Sequence, residues 1–217
     1  MWWTQHGHLF PHACENINWD GTQDMKDGLS PAENWYITKY ASSNCGVGDT
    51  MVQWQQQQDP ACPRCGHPKD TTHVYRCTGQ QANSVWDTRM SEVEMYLTQS
   101  QTDPNIKHVL VMSLSNWHQR AEIPVHQFDY TIQLAVYQQH AIGWKALLEG
   151  ADGTQWRQAQ QKYCLCHQLV QSNRQWLQGL LVCLVQLGQC QWLHCNDQKH
   201  KGLNPVVGAL KLVYREQ

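Results

Sequence analysis

Charge is scarce in this chain. Of its 217 residues only 16% are Asp, Glu, Lys or Arg, and they sum to a net charge of −2. A basic footprint of the kind that carries a nucleic-acid binder onto phosphate is absent. No two aspartates are adjacent, so the Tyr-x-Asp-Asp metal site of a polymerase is missing, and with it two-metal phosphoryl chemistry. Long apolar runs are missing too. The richest, Leu180 to Val185, lies between Gln178 and Gln186 and is too short to cross a bilayer. Residues Met1 to His6 offer neither a basic stretch nor an apolar one, so the expectation is an intracellular protein, cytoplasmic or nuclear, with no membrane partner. Period-two alternation is rare, and with it any case for a sheet.

Tryptophan and cysteine are plentiful, at 11 and 10 copies, and glutamine fills most polar faces. Ten cysteines would suit a disulfide scaffold in a secreted chain. Without a secretory signal they read as reduced thiols, mostly buried. Three of them belong to a pattern. Cys62-Pro63-Arg64-Cys65-Gly66 is followed by His73-Val74-Tyr75-Arg76-Cys77, which spells C-x2-C-x7-H-x3-C. Cys62, Cys65, His73 and Cys77 make a complete set of soft donors for one tetrahedral zinc ion. Three thiolates and one imidazole leave no open position for water, so the expected role of the zinc is structural. Pro63 fixes one φ, and Gly66 permits a positive φ after the second thiolate. Backbone N–H groups of such a turn can point at the sulfurs. His73 and Cys77, four apart, would share a face if a helix carried both. His67 follows Gly66 too closely to join Cys65 on one ion and is left out.

Residues 1–80 read as a mixed, irregular segment bearing the knuckle, and residues 81–217 as an all-α helical bundle; the fold class is mainly α. Asn18 to Gly21 and Asp27 to Pro31 carry turn signals. Ser30-Pro31 starts a helix that runs through Trp35 and Tyr36 toward Tyr40. Trp86, Met90, Val93 and Leu97 step as one helical stripe. Asp103-Pro104 caps the next, with Ile106, Leu110, Ser113 and Trp117. Phe128, Ile132, Ala135 and Ile142 form a third stripe, stopped near Gly143. Trp156, Ala159, Tyr163, Cys166 and Val170 form a fourth. Trp176, Leu180, Cys183, Leu187 and Cys190 form a fifth, widened by Leu177, Leu181 and Leu184. So wide a stripe belongs to a central helix. Asn204-Pro205 opens a last helix, with Val206, Leu210 and Val213 inside.

The run Trp35 to Lys39, Gly46-Val47-Gly48, the Cys62 to Gly66 turn, Asp70 to Val74 and Cys77 together resemble a known region. It is the C-terminal zinc-binding region of eukaryotic retrotransposon reverse transcriptase polyproteins, in the variant abundant in diatoms and related algae. Matching pieces continue through Gln139 to Trp144, Leu148-Glu149-Gly150, Trp156, Gln160 and Tyr163, then Trp176 and Trp192 to Asn196, and His200. Such tails often read Trp-x-x-Arg-Asn near their end, and here Cys195 stands at the arginine. The resemblance implies a polyprotein context with a polymerase portion as partner.

Three functional expectations compete. In the first, the knuckle is a non-catalytic accessory module that helps hold single-stranded RNA or DNA, with Arg64, Lys69 and Arg76 reaching phosphates and Tyr75 stacking on a base. In the second, zinc pins a helical bundle that serves as a structural or protein-interaction module; Trp2 and Trp3, if exposed, would be its contact surface, though burial is the simpler expectation for them. In the third, His194-x-Asn196-x3-His200 forms a nuclease site, or Cys190, His194, Cys195 and His200 hold a second zinc. A buried cysteine beside a helix-terminal histidine explains those residues more simply. Cys164 and Cys166 point apart on a helix and do not suit one metal.

Overall fold

The computed structural model describes residues 11–42, 44–125 and 128–200. Trp2, Trp3 and the helix expected from Asn204 lie outside them. Among the described residues the chain is helical and carries no strand. The order is α1 (Pro11–Cys14), α2 (Trp19–Gly28), α3 (Pro31–Ala41), α4 (Gly48–Gln53), α5 (Thr71–Tyr75) and α6 (Gln80–Gln99). Then follow α7 (Pro104–Gln119), α8 (Tyr130–Ile142), α9 (Trp144–Leu148), α10 (Thr154–Cys166) and α11 (Asn173–His200).

The helix starts follow local chemistry. Ser30 and Glu33 form a reciprocal capping box, with Pro31 in the first turn of α3, satisfying N–H groups that a helix start leaves orphaned. Asp103 accepts from Asn105 N–H ahead of Pro104, and Asp129 accepts from both Thr131 and Ile132 N–H. α11 is the axle. Its 28 residues span about 42 Å, and it packs on α6, α2, α9, α3, α5 and α10. Trp176, Leu177, Leu180, Leu181, Leu184, Val185 and Leu187 are all buried along it.

Several expectations need correction. The N-terminal part is helical rather than irregular, since α1 to α4 occupy much of residues 11–53. Asn18 to Gly21 is the start of α2 and not a free turn: Asn18 accepts from Gly21 N–H. The turn residues were misleading because α2 is held by its partners. Its Asp24 pairs with Arg174 of α11, and its Met25 is fully buried. Non-helical chain is concentrated between α4 and α5, where the knuckle sits, pinned by an isolated bridge between Ala61 and Pro68. The fourth stripe also shifts. α10 ends at Cys166, so Val170 lies beyond it and is fully exposed, while Cys164 and Gln160 turn inward. One continuous core joins Met25, Tyr36, Tyr40, Val74 and Tyr75 to Trp86, Leu110, Trp156 and the apolar face of α11. It runs across residue 80 without a break.

Candidate metal centre

Two short pieces of chain bring the donors together. The first is the turn of Cys62 to Gly66, closed by Gly66 N–H to Cys62 O at 2.8 Å and Cys62 N–H to His67 O at 2.7 Å. Gly66 takes the expected positive φ of 78°. The second is α5, started by Asp70, whose carboxylate accepts from His73 N–H. α5 is held on the body by aromatic hydroxyls: Tyr40 Oη donates to Thr71 O at 2.9 Å, and Tyr36 Oη lies 3.2 Å from Tyr75 Oη. Burial pushes all three phenols well above their ordinary range, so they stay neutral in this packing.

The donor atoms of Cys62, Cys65, His73 and Cys77 all lie within 4.8 Å of one another. Cys62 Sγ and Cys77 Sγ are 3.8 Å apart, and Cys65 Sγ and His73 Nε2 are 3.2 Å apart. A tetrahedral ion with metal–sulfur bonds of about 2.3 Å requires sulfur–sulfur edges near 3.8 Å and sulfur–nitrogen edges near 3.5 Å. The four residues therefore fit one metal ion. They are the one such Cys/His/Asp/Glu group found among the described residues. One detail differs from expectation. Cys77 lies just past the end of α5, so the helix carries His73 alone, and the C-terminal bend at Arg76 delivers the last sulfur. His67 is exposed and outside the cluster.

Nearby backbone amides of Arg64 and Gly79 favour the thiolate forms of Cys62 and Cys77 respectively. Gly79 cannot be replaced without a shift, since a Cβ there would sit 2.7 Å from Arg64 O. Cys62 Sγ and Cys77 Sγ, 3.8 Å apart, share a hydrogen bond in which either can donate. The crowding of these thiols with Cys195 sets their proton affinities apart, lowering Cys62 and raising Cys77 and Cys195, and burial adds to the rise.

Cys195 was not read from sequence as belonging here. It is fully buried and packs with Cys62, Cys77 and Ala82. Position supplies no local signal, because the residue comes from the far end of α11. The alternative of a second zinc site around Cys190, His194, Cys195 and His200 is not assembled among the described residues: Cys195 packs with Cys62 and Cys77, while His200 is exposed. Cys164 is buried and Cys166 exposed, on opposite sides of α10.

The four residues expected to meet nucleic acid are engaged inside the fold. Tyr75 is fully buried, and Lys69 is 3% exposed. Arg64 donates to Gln191 Oε1 at 2.7 Å, to Gln191 O at 3.2 Å and to Val74 O at 2.9 Å. Arg76 donates to Trp117 O at 2.7 Å, with its guanidinium 4.3 Å above the Trp117 ring. No face of Tyr75 is open to stack on a base in this arrangement. Two surface grooves, of about 340 and 230 Å³, are lined by Ser84, Arg89, Cys190 and His194 and by Asn18, Arg157 and Gln161 respectively. Neither opens onto the four donors. Among the described residues no helix is long and apolar enough to cross a membrane. No known protein family, curated protein or solved structure matches the chain.

Proposed function

We propose that this chain is a non-catalytic helical module in which one structural zinc ion clasps the 62–77 knuckle onto the bundle. The observation that carries this is the convergence of three sulfurs and one imidazole within 4.8 Å, on residues that leave no coordination position for a substrate. Zinc suits the set better than the hard divalent ions, which prefer oxygen donors. Zinc would hold Cys62, Cys65, His73 and Cys77 together, and the chemistry it supplies is cross-linking.

Between the two non-catalytic roles, the inward engagement of Arg64, Lys69, Tyr75 and Arg76 favours a structural or protein-interaction module over an RNA-holding one. Tyr130, Leu134 and Tyr137 remain exposed at helical spacing on α8, and this reading assigns that face to a protein partner. An accessory place beside the polymerase portion of a retrotransposon-type polyprotein rests on the resemblance of the knuckle and tail motifs.

Native mass spectrometry of freshly purified protein should show one zinc per chain, and its absence overturns the zinc clasp. A salt titration with single-stranded RNA separates the two roles. Weak, salt-insensitive binding is expected. Tight binding that falls steeply with salt and is lost in Arg64→Ala would restore the nucleic-acid role.

A further inference from the structure

One side chain joins the two halves of the donor set. Arg64 stands between Cys62 and Cys65 in the knuckle turn, and its guanidinium forks out of that turn. Nη2 donates to Val74 O at 2.9 Å, in α5 and next to His73. Nη1 donates to Gln191 Oε1 at 2.7 Å and to Gln191 O at 3.2 Å, in α11. Gln191 is itself fixed: it is fully buried, and its amide donates to Ala82 O at 2.9 Å in α6. The backbone of Arg64 makes a second junction. A Cβ on Gly79, two residues past Cys77, would stand only 2.7 Å from Arg64 O. Arg64 therefore meets the chain beside His73 and the chain beside Cys77. The local bonds do not link the two halves. Cys62 N–H to His67 O and Gly66 N–H to Cys62 O close the turn on itself, and Asp70 caps α5 on itself.

We propose that Arg64, seated on Gln191, is the positioning residue of the metal centre: its fork sets the Cys62 and Cys65 pair against the His73 and Cys77 pair and anchors both to α11. The proposal rests on the zinc reading. A planar guanidinium can hold two partners at fixed angles, whereas a lysine ammonium on its flexible stem is a point charge. Groups that orient metal ligands from outside raise metal affinity. The protein thus does part of the ordering that an ion would otherwise impose, and a clasp near the surface takes its reference from the central helix. Arg64 serves the donors and not a phosphate.

The test uses the full-length chain with Arg64→Met, Arg64→Lys, Gln191→Leu and the double variant Arg64→Met with Gln191→Leu. Zinc affinity is measured by competition with a chromogenic chelator. Cobalt is substituted to record the ligand-field bands, which report how nearly tetrahedral the donors stand. Arg64→Met and Gln191→Leu should each weaken zinc by about 10- to 100-fold and change those bands. Arg64→Lys, which keeps the charge and loses the fork, should lose nearly as much as Arg64→Met. The double variant should fall to about the level of Arg64→Met alone, because Gln191 acts through Arg64. Circular dichroism checks that the helical body stays folded. A role in the stability of the body alone would lower the unfolding midpoint and leave the cobalt bands in place. Should Arg64→Met not fold, Arg64→Lys decides the case by itself. Wild-type affinity and bands in folded Arg64→Met or in Arg64→Lys, or additive losses in the double variant, overturn the proposal and leave the zinc clasp standing. A wild-type chain that takes up neither metal overturns both.

Discussion

Removing zinc should loosen the knuckle in a definite order. The turn from Ala61 to Lys69 is held, apart from the donors, by a few backbone bonds, Cys62 to His67, Gly66 to Cys62 and Lys69 to Pro60, and by the half-exposed Arg64 guanidinium on Gln191 and Val74 O. Its apolar burial is small, since most of residues 63–67 are exposed or half-exposed. α5 is different. Val74 and Tyr75 are fully buried in the main core, and two tyrosine hydroxyls tie the helix down. Structural zinc contributes on the order of 10 kcal/mol to folding. Shared over four donors, each is worth roughly 2–3 kcal/mol, or about 30- to 150-fold in affinity. Cys77→Ser should therefore weaken zinc by at least that factor and not abolish binding at high metal concentration. With chelator in excess, residues 60–70 should lose protection against amide hydrogen exchange. Residues 71–75 and the centre of α11 should keep theirs, because their burial does not depend on the ion. Peptide-resolved exchange by mass spectrometry checks this. Identical exchange with and without chelator would show that the ion holds nothing in place. Simultaneous loss across α6 and α11 would show that the body has no stability of its own.

Three further outcomes follow from buried polar groups and caps. Gln139 is fully buried, and its amide serves four partners: it donates to Gly143 O and Ala151 O and accepts from Gly153 N–H and Trp156 Nε1. Gln139→Leu strands two donors and two acceptors and should cost about 2–4 kcal/mol in urea unfolding, and a loss below about 0.5 kcal/mol would contradict the network. Asp152 is fully buried with its carboxyl pushed up to about 7 by burial, against which Asn18 donates only one bond. The folded state holds this proton longer than the unfolded one. Its stabilising effect is full below about pH 4 and is lost as pH rises through about 7, by at most roughly 4 kcal/mol. Asp152→Asn should therefore flatten the pH dependence of stability between pH 4 and 7, and an unchanged slope would refute the assignment. Ser30→Ala removes the capping box of α3 and should cost about 1 kcal/mol by thermal or chemical denaturation.

What could be read from the sequence was what neighbours in sequence decide. The Cys62 to Gly66 turn and the donor spacing are local, and so are the Ser30 and Asp103 caps. The stripes of α6 and α11 are local as well, because helical period alone places Trp86, Met90, Val93 and Leu97 or Leu180, Leu184 and Leu187 on one side. The residues that misled are those whose role is set from far along the chain. α2 reads as turns, with Gly21 and Gly28 in a polar run, and is a helix because it packs along α11, some 150 residues later, burying Met25, with Arg174 pairing with Asp24 at its side. Lys69 and Tyr75 sit in a polar loop and a short amphipathic segment, where solvent exposure is the natural expectation. The body of the bundle then folds over them.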